Sequence, residues 1–386
     1  MTKFAHMADI HLGGWRQQPL QKLNFNSFQK AIDICIQEKV DFVLIAGDLF
    51  DNAFPQIEIL KECFAEFRKL HNAKIPCFLI SGSHDYSVSG KTFLDVLEKA
   101  GFCKNVTDFE EQEEKIILNP TIFKNIAIYG YPGKKSGLDV QDLRKIELKE
   151  SSLFKILMLH TTIDKVKGDL PIEAIETKSL PFANYYALGH IHVIFNQENF
   201  VYPGPLFPNN FSELETLKHG TFNIVDLDLE KPVRKIDVKL KEVEPITIEI
   251  NDSTASAEAI IYELNKRDLN DKIVLLRIKG ELENSKVSDI NFEQISTFAE
   301  NKGAYFLLRN LHYLKTKEAI IEVEIENPGD IEEETINSYV DKNPSEFNSK
   351  IFQLINSLAI EKQEGETSDG FSKKIIDDSR KILGFE

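Results

Sequence analysis

Short apolar runs, each closed by glycine, aspartate or histidine, recur through the first half of this chain. They span residues 4–7, 42–46, 77–80, 156–159 and 185–188. Uninterrupted apolar runs of four or five residues bounded by turn formers read as strands buried on both faces. Between the first three, the period changes to that of a helix. Residues 26–38 place Phe28, Ile32, Cys35 and Ile36 on one face, and residues 56–70 do the same with Ile59, Leu60, Cys63, Phe64, Phe67 and Leu70. Strand, helix, strand, helix, strand predicts right-handed crossovers and a largely parallel sheet. The loops leaving the carboxyl ends of such strands converge on one rim, where ligands gather in open α/β sheets.

Further along, residues 253–265 and 292–302 read as helices, and residues 273–279, 304–308 and 319–324 as strands. They predict a small α+β unit over 246–325. An acidic stretch containing Pro328, Gly329 and Glu332 to Glu334 then reads as a linker over 326–345. Beyond it, Asn343 and Pro344 form a helix-start signal, and Phe347, Ile351, Leu354, Ile355 and Leu358 fall on one stripe. A polar break at 363–370 precedes a second helix carrying Phe371, Ile375, Ile376, Ile382 and Leu383. Two amphipathic helices past a linker bury their stripes either on the chain's own domains or in a partner's groove.

The residues that close the apolar runs carry the chemistry. They read Asp9-Ile10-His11, Gly47-Asp48-Leu49-Phe50-Asp51, Gly82-Ser83-His84-Asp85, His160, and Gly189-His190-Ile191-His192. Singly each is weak: a Gly-Asp pair after a strand is usually a turn, and one histidine on an apolar run is usually a core residue. Together they assemble carboxylates and imidazoles, the donors that divalent transition metals take, at the ends of neighbouring strands. A phosphoester needs cations on its attacking and departing oxygens, so such a set suits two-metal hydrolysis. Ser89-Gly90-Lys91-Thr92 imitates the end of a phosphate-binding loop, but Asp85 stands where that loop needs its first glycine. Residues 90–100 read instead as a helix with Phe93, Leu94 and Leu97 buried.

In this order the motifs resemble the calcineurin-like metallophosphoesterases. The wording His6-Met7-Ala8-Asp9-Ile10-His11-Leu12-Gly13, Gly47 to Asp51 and Tyr202-Pro203-Gly204 is similar to the archaeal-type meiotic recombination 11 family, called SbcD in bacteria. That resemblance implies an α/β sandwich of sheets flanked by helices over 1–245, a capping domain over 246–325, and a helix-loop-helix over 346–386. It implies two Mn²⁺ ions, with Mg²⁺ or Fe²⁺ as alternatives: one on Asp9, His11, Asp48 and His192, the other on Asp48, Ser83, His160 and His190. Asp48 would bridge them, and His84 would aid the departing oxygen. The implied activity is duplex exonuclease, 3′–5′, and single-strand endonuclease on DNA ends, single strands and hairpins in double-strand-break repair. The implied partner is a coiled-coil ATPase of the SbcC type, gripped through Phe347, Ile351, Leu354, Ile355, Leu358, Phe371 and Ile375, within a heterotetramer built on a homodimer. Position 83 departs from the family pattern, which has asparagine. A serine hydroxyl is the poorer neutral ligand, which predicts a weaker second metal and a demand for more of it.

Charge complicates the picture. The net charge is −16, whereas DNA affinity rests on lysine and arginine. The excess is uneven: residues 1–245 hold 34 acidic and 29 basic residues, a net of −5, and residues 246–386 hold 28 and 17, a net of −11. Arg16, Lys134, Lys135, Arg144 and Lys145 are the candidates for a local basic face, and weak DNA binding is expected of the chain alone. A length of 386 residues predicts more than one domain. No apolar run approaches the roughly 18 residues of a membrane span, and the chain opens without a secretory pattern, so a soluble protein of a prokaryotic, archaeal-type cytoplasm is expected. Cys35, Cys63, Cys77 and Cys103 lack zinc or redox spacing and read as reduced core residues. Two alternatives stay open: a stand-alone phosphoesterase acting on nucleotides or other small phosphoesters, which would suit the acidity, and a scaffold whose site has decayed at Ser83.

Overall fold

Two six-stranded sheets lie face to face, each carrying helices or loops on its outer side. The computed structural model describes residues 2–85, 87, 92–134, 139–168, 172–251, 256–282, 286–316, 345, 347–358, 360 and 368–385. In the first sheet Lys3–Met7, Phe42–Ala46 and Cys77–Ile80 run parallel in that order, and Gly220–Asp226 and Val233–Val238 extend it antiparallel beyond Lys3–Met7. In the second, Ile126–Tyr131, Phe154–His160, Tyr185–Gly189 and Phe200–Pro203 are parallel neighbours.

Alternation along each strand explains why both faces are apolar. Phe42, Leu44 and Ala46 point into the layer between the sheets, while Val43 and Ile45 point to the helices. Ile156 and Met158 divide from Leu157 and Leu159 in the same way across the second sheet. Aromatic rings fix the inter-sheet layer: Phe4 stacks on Phe42 at 4.9 Å, Phe42 meets Phe78 and Phe123 edge-on at 5.7 and 5.5 Å, and Phe4 meets Tyr185 at 5.3 Å. Such pairs add about 0.5–1.5 kcal/mol each beyond their burial. His6 is also buried in this region, with Nδ1 on the Tyr185 hydroxyl at 2.9 Å, so its role is structural.

The helix expected over 26–38 is longer, Gln18–Gln37, because Pro19 opens its first turn. Its extra turns bury Leu20 and Leu23. The helix expected over 56–70 is Ile57–Asn72. Thr92 caps the helix Phe93–Lys99 in a reciprocal arrangement with Asp95, which burying Leu94 and Leu97 anchors. Residues 88–91, with most of the phosphate-loop imitation, lie outside the described residues.

Val243–Glu249, Ile273–Leu282 and Phe306–Thr316 form a separate three-stranded sheet, all parallel, alternating with helices Ser256–Asn265 and Phe292–Asn301. The unit read from sequence as α+β thus alternates strictly. It begins one strand earlier than expected, and its last strand runs on to Thr316; the strand expected over 319–324 lies outside the described residues. One face of this sheet holds its own helices. The other packs Ile273, Leu275 and Leu308 against Trp15, Leu20, Leu23, Phe207 and Leu214. Residues 1–316 form one compact unit and residues 317–386 another.

In the second unit, helices Ile351–Leu358 and Ser368–Leu383 pack on each other, with the Phe347 and Phe385 rings 6.4 Å apart. Lys350 Nζ donates to the Leu383 carbonyl at 2.8 Å. Ser345 supplies the helix-start contact, accepting from Phe347 N, while the expected cap Asn343 and the acidic linker lie outside the described residues. Ile351, Leu354, Phe371 and Ile375 are half-buried; Phe347, Ile355 and Leu358 are exposed. Among the described residues no helix is long and apolar enough to cross a membrane.

Candidate metal centre

All five motifs meet at the carboxyl ends of the parallel strands. Asp9 and His11 follow Lys3–Met7, Asp48 follows Phe42–Ala46, Ser83 and His84 follow Cys77–Ile80, His160 ends its strand, and His190 and His192 follow Tyr185–Gly189. Backbone bonds lace the loops together: Asp9 N donates to Gly47 O, and Ile10 N and His11 N both donate to Asp48 O at 2.9 Å. Asp9, His11, Asp48, His190 and His192 all have positive φ, from 47° to 109°. Left-handed backbone at non-glycine residues costs about 1–3 kcal/mol each and persists where surrounding structure enforces it, often at functional sites.

Glycines make this approach possible. A Cβ on Gly47 would stand 2.2 Å from His160 Nδ1, and one on Gly82 would stand 2.2 Å from Asp48 Oδ1 and 2.4 Å from Asp48 N. Asp85 then staples two loops: Oδ2 accepts from Leu49 N and Gly82 N, and Oδ1 from Phe50 N.

Asp48 lies at the centre. His160 Nε2 is 3.0 Å and His11 Nε2 3.6 Å from its Oδ2, the Ser83 hydroxyl donates to the same oxygen at 3.4 Å, and His84 N donates to Oδ1 at 2.8 Å. Burial works against its ionisation, but His160 and His11 outweigh burial and hold the carboxyl well below the usual range. Burial likewise opposes a charged His160, yet Asp48 pushes it up to about 10. Burial and then the charge of His160 lower His190 to about 4.

The remaining imidazoles are aimed by their second nitrogen. His160 Nδ1 donates to Ala46 O at 2.9 Å, His192 Nδ1 donates to Glu213 Oε1 at 2.9 Å, and His84 Nδ1 donates to Asp51 O at 2.7 Å. Each arrangement leaves Nε2 facing the site, as in metal centres whose histidines are oriented by a carboxylate or carbonyl. A cavity of about 330 Å³ opens here, lined by His11, Asp48, Ser83, His84, His190, Ile191, His192, Asn209 and Glu213.

The donor set fits divalent metal. Asp9, His11 and His192 form one cluster, and Asp9, Asp48 and His160 another, with ligand atoms within 4.8 Å of one another in each. His11 Nε2 and His192 Nε2 stand 3.0 Å apart, and the buried His160 Nε2, 3.0 Å from Asp48 Oδ2, has no well-directed hydrogen bond. Buried ring nitrogens crowded on a carboxylate and on one another in this way are costly unless something binds between them. A third cluster joins His11, Asp48 and His84. His190 falls outside these clusters but lines the cavity with Ser83.

Sequence reasoning placed Asp51 in its motif without a role of its own and missed Glu213. Asp51 Oδ1 lies 3.3 Å from His11 Nδ1 and 3.7 Å from His84 Nδ1, so one carboxylate touches both rings. Glu213 was detectable only as the third residue after a helix-capping asparagine, Asn210; its aim at His192 was not. Of the basic candidates, Lys134 is already paired with Asp142 and lies over the Tyr131 ring, Arg16, Arg144 and Lys145 are exposed, and Lys135 lies outside the described residues.

Two apposed mixed sheets with histidines and aspartates converging on one rim define a metallophosphoesterase. Residues 2–194 match the model of the calcineurin-like phosphoesterases. The chain belongs to that family, whose members use a divalent metal centre, and it is a metal-dependent phosphoester hydrolase. It is also similar over most of its length to proteins named DNA double-strand break repair protein Mre11. The one from Archaeoglobus fulgidus is 26% identical, covering 84% of this chain and 76% of that one. Those from Methanocaldococcus jannaschii and Saccharolobus solfataricus are each 28% identical, covering 72% and 73% of this chain and 77% and 76% of theirs.

Proposed function

We propose that this chain is a Mn²⁺-dependent nuclease that processes DNA ends in double-strand-break repair. The observation that carries the reading is His84: its Nδ1 is committed to Asp51 O, its ring lies edge-on to His11 at 4.7 Å, and its side chain is 45% exposed at the cavity. A ring so held presents Nε2 to a phosphodiester and, as the imidazolium, can give the departing sugar oxygen a proton. Similarity to the double-strand break repair proteins supplies the substrate class.

Asp9, His11, Asp48 and His192 would hold one ion, and Asp48, Ser83, His160 and His190 the other. When bound, the pair supplies an activated water and charge neutralisation at phosphorus. The chain's own residues do the rest. Asp48 is kept ionised between the two sets, Glu213 and Ala46 O aim the imidazoles, and the open cavity admits a backbone rather than enclosing a small molecule. Ser83 contributes a hydroxyl where an amide would reach further, so the second ion is the weaker.

Residues 246–325 would act as the capping segment that favours duplex ends, with 3′–5′ exonuclease and single-strand endonuclease activity below it. Phe347, Ile355 and Leu358 keep an apolar face open, which supports docking on a coiled-coil ATPase with the nuclease as a homodimer. That partner would also supply the DNA affinity that a chain of net charge −16 lacks. The work is that of a soluble intracellular protein. The acidity gives one ground for a second reading, hydrolysis of small phosphoesters. Cleavage of hairpin and plasmid DNA measured beside hydrolysis of p-nitrophenyl phosphodiesters decides between them: turnover of the ester with intact DNA would favour the second.

A further inference from the structure

We propose that Arg277, on the three-stranded sheet, is a positioning residue for His192, acting through the helix Phe211–Leu217; this rests on His192 being a metal ligand. The connection is continuous. Glu213 Oε1 accepts from His192 Nδ1 at 2.9 Å and from Asn210 Nδ2 at 2.6 Å, and its Oε2 accepts from Asn209 N at 2.8 Å. Asn210 in turn caps the helix, accepting from Glu213 N at 2.9 Å. The carboxylate that aims His192 is therefore built into the first turn, and any rotation or slide of the helix moves it.

Seven residues make a helix too short to hold itself in place. Two faces anchor it. Leu214 is fully buried in one apolar cluster with Trp15, Leu20, Phe207 and, from the sheet, Ile273 and Leu275. Phe211 and Glu215, four residues apart and so on a shared face, are both engaged by Arg277. Its guanidinium lies 4.9 Å from the centre of the Phe211 ring, and Nη2 and Nε donate to the two Glu215 oxygens at 2.6 and 3.4 Å. Tyr313 from the neighbouring strand closes the other side at 5.5 Å.

Arg277 stands where the pairing of its strand with Phe306–Thr316 slips register, between Arg277 and Lys279. An irregularity of this kind re-aims side chains at a sheet edge or next to a site. The arginine side chain is 16% exposed and that of Glu215 32%, so the pair is shielded rather than a surface contact. A planar fork over an aromatic ring fixes both distance and rotation, which a lysine ammonium does not.

The test is Mn²⁺ titration of the full chain by calorimetry, with the absorption bands of added Co²⁺ reporting ligand geometry and thermal melting reporting fold. Loss of a group that orients a ligand costs about 10–100-fold in metal affinity, so Glu213→Gln should fall in that range and Arg277→Ala, one step removed, should weaken Mn²⁺ about 3–10-fold. Arg277→Lys should resemble Arg277→Ala, and both should shift the Co²⁺ bands while the melting temperature stays within a few degrees. The swap of Arg277→Glu with Glu215→Arg keeps the ion pair but not the ring contacts, and should restore affinity and bands in part. Arg277→Ala and Arg277→Lys that bind Mn²⁺ as the native chain does, while Glu213→Gln binds weakly, would overturn the proposal and leave the metal site standing. A swap that binds Mn²⁺ no better than Arg277→Ala would also overturn it. If His192→Ala itself leaves Mn²⁺ binding unchanged, the ligand assignment fails instead.

Discussion

Asp85 tests how the loops of the metal rim are held together. Its buried carboxylate takes three backbone N–H groups, from Leu49 at 3.0 Å, Phe50 at 2.9 Å and Gly82 at 3.2 Å, and so ties the loop after Asp48 to the loop that carries Ser83 and His84. Asp85→Ala strips the acceptor from all three. At about 2 kcal/mol for each buried unpaired donor, the loss is roughly 6 kcal/mol. Removing the charge offsets part of it. Burial, and then the neighbouring Asp48 carboxylate, push Asp85 up to about 6 from 3.8, and at about 1.4 kcal/mol per pK unit that ionised group costs roughly 3 kcal/mol at neutral pH. The alanine variant should therefore be about 3 kcal/mol less stable, taking the three-donor loss with this offset. Asp85→Asn keeps the oxygen shared by Leu49 and Gly82 and drops the charge, so it should fall within about 1 kcal/mol of the native chain.

Because the folded pKa of Asp85 is raised, its stabilising contribution is present below pH 3.8 and lost as pH rises through about 6. The asparagine variant should lack that slope. The assay is urea unfolding with chelator present, read by the fluorescence of Trp15, the single tryptophan, which is buried against the three-stranded sheet. An alanine variant as stable as the native chain, or an asparagine variant as damaged as alanine, would refute the reasoning.

Other substitutions divide chemistry from binding. His84→Gln should leave Mn²⁺ affinity nearly unchanged and lower DNA cleavage by about 10²–10⁴-fold, the usual share of a general acid; equal losses in both would make His84 a ligand. Ser83→Asn should reduce the Mn²⁺ needed for half-maximal cleavage, and an unchanged requirement would show that position 83 does not set the second site. Gly82→Ala places a methyl 2.2 Å from Asp48 Oδ1 and 2.4 Å from Asp48 N, so calorimetry should find Mn²⁺ binding lost with activity. For His160, pushed up to about 10 by Asp48 against burial, a divalent ion must displace a proton, so Mn²⁺ binding should tighten as pH rises and release a proton at neutral pH. Without metal, the stability from that raised pKa is present below pH 6.5 and lost as pH rises through about 10. Titrations in two buffers of different ionisation enthalpy check this, and pH-independent binding with no proton release would contradict it.

Strand positions were legible because their signal is local. The runs over 42–46 and 77–80 match Phe42–Ala46 and Cys77–Ile80 residue for residue, since uninterrupted apolar stretches ending at glycine or serine leave little freedom at either end. The helix Gln18–Gln37 was cut short because its first turns, with Asn24, Asn26 and Gln21, do not look apolar; they are held by Leu20 and Leu23 against a sheet more than two hundred residues later in the chain. The site divides along the same line. Residues at the ends of strands could be collected from sequence, because a parallel sheet brings those ends together whatever lies between. The roles of Asp51, Glu213 and Arg277 could not, because each acts through a contact set by tertiary packing: Asp51 with two imidazoles, Glu213 with a histidine 21 residues away, and Arg277 with a helix from another part of the fold.

The central claim, DNA cleavage at this rim, is tested most directly by titrating Mn²⁺ into the purified chain with single-stranded and duplex DNA, beside His84→Gln. The account predicts cleavage that rises with Mn²⁺, stops on chelation, and is lost in the variant while the variant still binds metal. Intact DNA at every Mn²⁺ level, with a coiled-coil ATPase partner absent or present, would contradict it.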